Sequence, residues 1–170
     1  MNKQIAILTH SQKNIECALK KYFEKLGVEV FVTDSPLKAS SADLCIVDEY
    51  DGFLNTDILS ESTFVRLHPS ILPAFDCEKP IEKAFKEGVK LSGLTICYIN
   101  NDASNGKIIA QYPIFIDFST TIEDFKEELY RIKGKLAPFV ADSILKDEIF
   151  DYGMLLKQSG CSNDCSNCKK

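Results

Sequence analysis

Residues 63–75 read Thr-Phe-Val-Arg-Leu-His-Pro-Ser-Ile-Leu-Pro-Ala-Phe, and this stretch decides how the rest of the chain is arranged. Phe64, Val65 and Leu67 give it a β-rich start, while Pro69 and Pro73 stiffen its end. The change from extended run to fixed turn falls at His68. Pro69 favours an extended backbone there and removes one donor. In an open α/β sheet, ligands bind just beyond the carboxyl ends of strands. A histidine at such a place exchanges a proton near neutral pH. The competing reading is a partly buried histidine bonded to a loop carbonyl, which a single His before Pro does not exclude.

On either side of this stretch, strand and helix alternate. Gln4 to Thr9 is a nearly continuous apolar run, as in a strand covered on both faces. A helix opens at Asn14, with Ile15, Ala18, Leu19, Tyr22, Phe23 and Leu26 spaced for one face, and Gly27 stops it. Val28 to Thr33 and Asp43 to Val47 read as strands joined by a crossover too short for a full helix. The acidic loop Asp48 to Gly52 leads to a helical turn near Asn55 to Leu59. Beyond the central stretch, Ile81 to Glu87 reads as a short helix with Pro80 in its first turn and Gly88 at its end. Leu94 to Ile99 and Lys107 to Ile116 read as a hairpin around Asn-Asn-Asp-Ala-Ser-Asn-Gly. Thr120 or Thr121 caps a helix running to Lys135. Pro138 is expected to break or kink it, with Phe139 to Tyr152 continuing helically.

Composition narrows the classes. A chain of 170 residues suits one core of ordinary size. Its 45% apolar and 26% charged residues are those of an average globular protein. A net charge of -5 without a concentrated Lys/Arg run argues against a nucleic-acid partner. No apolar run reaches the length of a membrane span, and the N-terminal one is too short for a signal peptide. Four of the seven cysteines, Cys17, Cys45, Cys77 and Cys97, are scattered in apolar contexts, as for reduced thiols of a cytoplasmic protein. Residues 1–152 form one expected α/β domain, and residues 153–170 a Cys-rich tail.

His68-Pro-Ser-Ile-Leu-Pro-Ala-Phe75 closely resembles the signature of folate-dependent formyltransferases, glycinamide ribonucleotide formyltransferases in particular. The likeness continues through Gly88 to Thr95 and Gly106 to Gln111, and in pattern to Ile144; before Asp43 it rests on topology. It implies a Rossmann-like formyltransferase fold, with a mostly parallel twisted sheet flanked by helices and a C-terminal helix. It also implies formyl transfer from 10-formyltetrahydrofolate to a small-molecule amine. The family pairs an Asn and a His one residue apart with an Asp on a later loop. Carried over, the His is His68, the Asn position is Arg66, and the Asp position falls near Ser104, with Asp102 the only nearby carboxylate.

These departures have chemical weight. Amine attack on a formyl carbon builds an oxyanion and releases a proton, so the site needs aimed donors and a proton-managing group. Arginine brings a permanent cation in place of a neutral amide. The competing reading for Arg66 is a side chain in solvent or paired with the Asp48 to Asp51 loop. The resemblance also implies a glycine-rich phosphate loop after the first strand. This chain has Thr9-His10-Ser11-Gln12-Lys13-Asn14 instead, leaving His10, Lys13 and Asn14 as candidate substrate-binding residues. The pterin-binding segment corresponds to Ile46 to Leu59 and is acidic and shortened. The expectation is an ancestral reaction weakened or lost.

The tail carries a second pattern. Cys161, Cys165 and Cys168 have Cys-x3-Cys-x2-Cys spacing among small polar residues, suited to wrapping an iron-sulfur cluster or zinc. Cys77, another chain or a small molecule would complete the set; the competing reading is a tail of redox-active thiols. Two functions therefore stand. One is a divergent formyltransferase, and the other a non-catalytic metal-binding module that meets a protein partner or a second copy of itself.

Overall fold

The computed structural model describes residues 3–148 and Phe150. Six strands form one sheet in the order β2-β1-β3-β4-β5-β6. They are β1 (Gln4–Leu8), β2 (Glu29–Thr33), β3 (Leu44–Val47), β4 (Thr63–His68), β5 (Leu91–Ile99) and β6 (Asn105–Phe115). The first three pairings are parallel, and β4–β5 and β5–β6 are antiparallel. Five helices cover it: α1 (Glu16–Phe23), α2 (Pro36–Ala39), α3 (Thr56–Glu61), α4 (Pro80–Lys86) and α5 (Ile122–Leu145). The mixed α/β class and mostly parallel sheet expected from the strand and helix alternation are present.

Side chains of period two divide the sheet between two unequal cores. Ile5 and Ile7, Leu44 and Ile46, and Val65 and Leu67 join Leu19, Phe23, Phe125 and Leu129 on the face carried by α1 and α5. Ala6 and Leu8, Cys45 and Val47, and Phe64 join Ala39, Leu54 and Leu59 on the other. Among the described residues that second face has only the four-residue α2, in the short crossover between β2 and β3, and the six-residue α3 as helices. By alternation, Arg66 and His68 project on the same side as Phe64. The thin layer therefore leaves the end of β4 open to a ligand.

Several expectations meet corrections. Pro138 does not break the last helix: α5 runs unbroken from Ile122 to Leu145. Leu136, Ala137, Val140 and Ala141 are buried on either side of it. Their packing outweighs the roughly 3 kcal/mol that an interior proline costs. The helix then ends at Lys146 instead of continuing toward Tyr152. Thr121 is its cap, closing a capping box with Asp124. Helix α1 begins at Glu16, two residues later than expected, because the Asn14 Oδ1 accepts the Glu16 N–H at 2.9 Å. The boundary at residues 152 and 153 and the tail cysteines Cys161, Cys165 and Cys168 lie outside the described residues.

Gly93, in the Gly88 to Thr95 segment, has a physical requirement for its identity. Its φ is +157°, and an added Cβ would lie 2.1 Å from the Tyr112 carbonyl oxygen and 2.9 Å from Ile71 Cδ1. Any side chain there pushes β5 away from β6 and from the loop after His68. We expect Gly93→Ala to destabilise the fold by about 3 kcal/mol, measured as a lowered midpoint in urea unfolding.

Candidate active site

His68 closes β4 and is paired in register with Thr95, which is in turn opposite Gln111. This row of three residues holds the loop that follows. The Thr95 hydroxyl donates to the Ser70 carbonyl at 2.7 Å and accepts from the Leu72 N–H at 3.0 Å and Gln111 Nε2 at 3.1 Å. Gln111 Nε2 also donates to the Leu72 carbonyl at 2.9 Å. Ser70 Oγ donates to the Ala74 carbonyl at 2.7 Å, closing the turn. Phe75 then sits at φ +55°, with its carbonyl 3.2 Å from His68 Nε2.

A carbonyl only accepts, so His68 Nε2 carries the proton and Nδ1 is the basic nitrogen. His68 is thus bonded to a loop carbonyl, as its competing reading had it, and it still borders a cavity of about 750 Å³. Burial lowers its pKa below the ordinary 6.5, against the Phe75 hydrogen bond and Asp76, which raise it. The Arg66 cation adds to the lowering. The imidazole is therefore neutral at pH 7.

Arg66, two residues earlier on the same face, lines the same cavity. It neither enters solvent nor pairs with the Asp48 to Asp51 loop. Its Nη1 donates to Asn105 Oδ1 at 2.8 Å and its Nη2 to the Ala103 carbonyl at 3.3 Å. Asn105 Nδ2 donates onward to Asp76 Oδ1 at 2.7 Å. Asn105 and Asp76 also border the cavity. An arginine, an amide, a carboxylate and a neutral imidazole thus share one wall, enough to stabilise an oxyanion and to move a proton.

The other candidates are placed differently. Ser104 donates from its N–H and Oγ to Asp102 Oδ1 at 3.0 and 2.5 Å, and neither residue borders the His68 cavity. His10 borders it, but its Nδ1 is bonded to Asp51 and its ring lies against Tyr50. Lys13 pairs with Glu127 at 2.5 Å, in an adjoining cavity of about 460 Å³. Asn14 lines neither cavity and serves the start of α1.

A family model described as formyl transferase matches residues 3–140. The chain belongs to the formyl transferase family. It is 29% identical over 128 residues to a phosphoribosylglycinamide formyltransferase of Bacillus subtilis, covering 74% of this chain and 65% of that protein. It is 31% identical over 112 residues to a formyltetrahydrofolate deformylase of Haemophilus influenzae, covering 65% of this chain and 40% of that one. The chain thus spans less than two thirds of these relatives' length. Among solved structures, a phosphoribosylglycinamide formyltransferase from Anaplasma phagocytophilum superposes with a TM-score of 0.72 at 20% identity, covering 86% of this chain and 89% of that one. A second, from Bacillus halodurans, superposes with a TM-score of 0.71 at 23% identity, over 88% and 100%. These likenesses give the fold, and the fold agrees with the family.

Sequence reasoning missed Asp76, Asn105 and Lys133. Asp76 follows the quoted stretch by one residue, and Asn105 precedes Gly106 in the hairpin turn. Lys133 is 2% exposed and sits 2.6 Å from Asp48 Oδ1 and 3.0 Å from Glu49 Oε1. The two carboxylates hold its ammonium above the ordinary lysine range against the pull of burial. Glu49, at φ +49°, stands between the two cavities and lines both. Cys77 is a thiol of the larger cavity. Among the described residues, no group of three or more His, Cys, Asp or Glu could hold a metal ion. Among the same residues, no helix is long and apolar enough to cross a membrane.

Removing one member of the buried pair strands the other. Lys133→Met is expected to cost about 3–5 kcal/mol by leaving Asp48 uncompensated. Adding Asp48→Leu should recover most of that loss in chemical denaturation.

Proposed function

We propose that this chain acts on the formyl group of 10-formyltetrahydrofolate at the Arg66–His68 wall, with transfer to a phosphorylated ribonucleotide amine weakened or lost. The observation that carries the reading is the shared cavity wall of Arg66, His68, Asp76 and Asn105. In the transfer, the acceptor nitrogen bonds to the formyl carbon, the bond from that carbon to the folate nitrogen breaks, and the carbonyl oxygen is transiently anionic. Arg66 uses two of its donors on Asn105 and Ala103, leaving others for that oxygen. His68 takes the acceptor's proton on Nδ1 and returns it to the leaving nitrogen. Asp76 steadies the imidazolium formed in between.

The loss of phosphate recognition follows from charge. The segment after β1 has no glycine to let the backbone approach an anion; its His10 ring is already bonded to Asp51 and its Lys13 cation is paired with Glu127. In the adjoining cavity Lys126 pairs with Glu82 and Lys133 with Asp48 and Glu49. Glu78 and Glu123 add further negative charge. A phosphate dianion meets a wall whose lysines are all engaged. An unphosphorylated amine suits it better, and relatives named formyltetrahydrofolate deformylase make water a second acceptor to test. The scattered reduced thiols favour a cytoplasmic setting.

The test mixes protein with 10-formyltetrahydrofolate and glycinamide ribonucleotide, free glycinamide or buffer, and follows tetrahydrofolate. Faster turnover with free amine or water than with the ribonucleotide is expected. His68→Ala should lower the rate about 10²- to 10⁴-fold. Activity undiminished in His68→Ala, or a preference for the ribonucleotide, contradicts the reading. The base must be neutral and the His68 pKa is lowered from the ordinary 6.5, so the rate should fall toward acid with a midpoint below pH 6.5.

One observation favours a second reading, a metal- or cluster-binding regulatory module. Cys77 opens into the His68 cavity, and the sequence supplies Cys161, Cys165 and Cys168 as further thiolates. Iron and zinc measured on anaerobically purified protein decide it. One zinc or one cluster per chain, lost when those three cysteines become serine, supports this reading, and metal-free protein rules it out.

A further inference from the structure

On the opposite face from His68, α1, α5 and the edge strand β6 enclose a groove of about 640 Å³ that the proposed reaction does not use. Ligand sites of this size are typically apolar, with a few polar groups placed to fix orientation. The groove meets that description. Tyr22 and Phe139, edge to face with centroids 5.1 Å apart, and Tyr112 form its apolar surface over a floor of buried Ile132, Leu136 and Pro138. Gly134 and Ala18 keep it open, since even a Cβ on Gly134 would already stand 3.6 Å from that of Ala18.

Its charges are all of one sign. Lys21, Arg131 and Lys135 line the groove and no carboxylate does, in a chain whose net charge is -5. Arg131 is held by Glu128. Neither Lys21 nor Lys135 has a carboxylate within ion-pairing distance among the described residues. Asp142, close to Phe139 in sequence, lies outside the lining and is engaged by the Tyr22 hydroxyl and Lys146. We propose that this groove binds a monomeric carboxylate with an apolar tail, the tail lying along Tyr22, Tyr112 and Phe139 and the carboxylate meeting Lys21 and Lys135. Apolar burial supplies the affinity, and the two lysines select the sign of the head group.

The test titrates the whole chain with sodium dodecanoate, below its micelle concentration, in an isothermal calorimeter, and repeats it with dodecyltrimethylammonium. Saturable binding of one dodecanoate per chain is expected, with the ammonium amphiphile about tenfold weaker or more. Lys21→Glu with Lys135→Glu should weaken dodecanoate by about tenfold or more. The same charge change made at Lys83 and Lys107, outside the groove, should leave it unaltered. Gly134→Leu, which fills the groove, should abolish binding while circular dichroism stays that of the parent. Equal binding of both amphiphiles overturns the proposal. So does loss of affinity in the Lys83/Lys107 control, or association only with phosphatidylglycerol vesicles and not with monomeric dodecanoate.

Discussion

The Thr95 hydroxyl is the interaction on which the site depends. It is fully buried, donates to Ser70 and accepts from Leu72 and Gln111, which uses all the bonding capacity a hydroxyl has. The loop it holds contains two prolines and no sheet ladder of its own. Each buried backbone group left without a partner would cost about 1–3 kcal/mol, so one side chain fixes a segment that propensity alone would leave loose. Through that segment the Phe75 carbonyl reaches His68 Nε2. A hydrogen-bond row across three strands thereby sets the protonation pattern of one imidazole.

Around that imidazole, charge has been redistributed. The arginine standing where the family resemblance places an amide is not a loose cation, because Asn105 and Ala103 tie it to the hairpin turn. Asn105 relays to Asp76, so the carboxylate of this wall comes from the loop after His68 and not from the hairpin where the resemblance locates it. In the adjoining cavity, Lys133 pins Asp48 and Glu49 from within α5. The lysines of the adjoining cavity are committed to the protein's own carboxylates, while Lys79 borders the His68 cavity with no carboxylate in ion-pairing distance among the described residues. The proposed weakening of phosphate recognition rests on that commitment in the adjoining cavity.

The sequence exposed the fold more fully than the site. Thr63–His68 was bounded correctly because apolar alternation and Pro69 act locally. The short crossover between β2 and β3 was legible from the few residues between the two strands. Pro138 misled, because propensity yielded to buried residues packed on either side of it. Asp76 and Asn105 were hidden because their contacts join residues 29 and 39 apart through turns that carry no periodicity. Lys133 was hidden more deeply, since nothing in a helical pattern marks which lysine will be buried against an acid 85 residues away.

The proposed chemistry requires a neutral His68 ring with its proton on Nε2. The chain has only two histidines, so nitrogen-15 spectra of the His10→Asn variant report the His68 ring alone. The neutral ring should carry its proton on Nε2, and its titration midpoint should lie below 6.5. A neutral ring protonated at Nδ1, or a midpoint at or above 6.5, would contradict this.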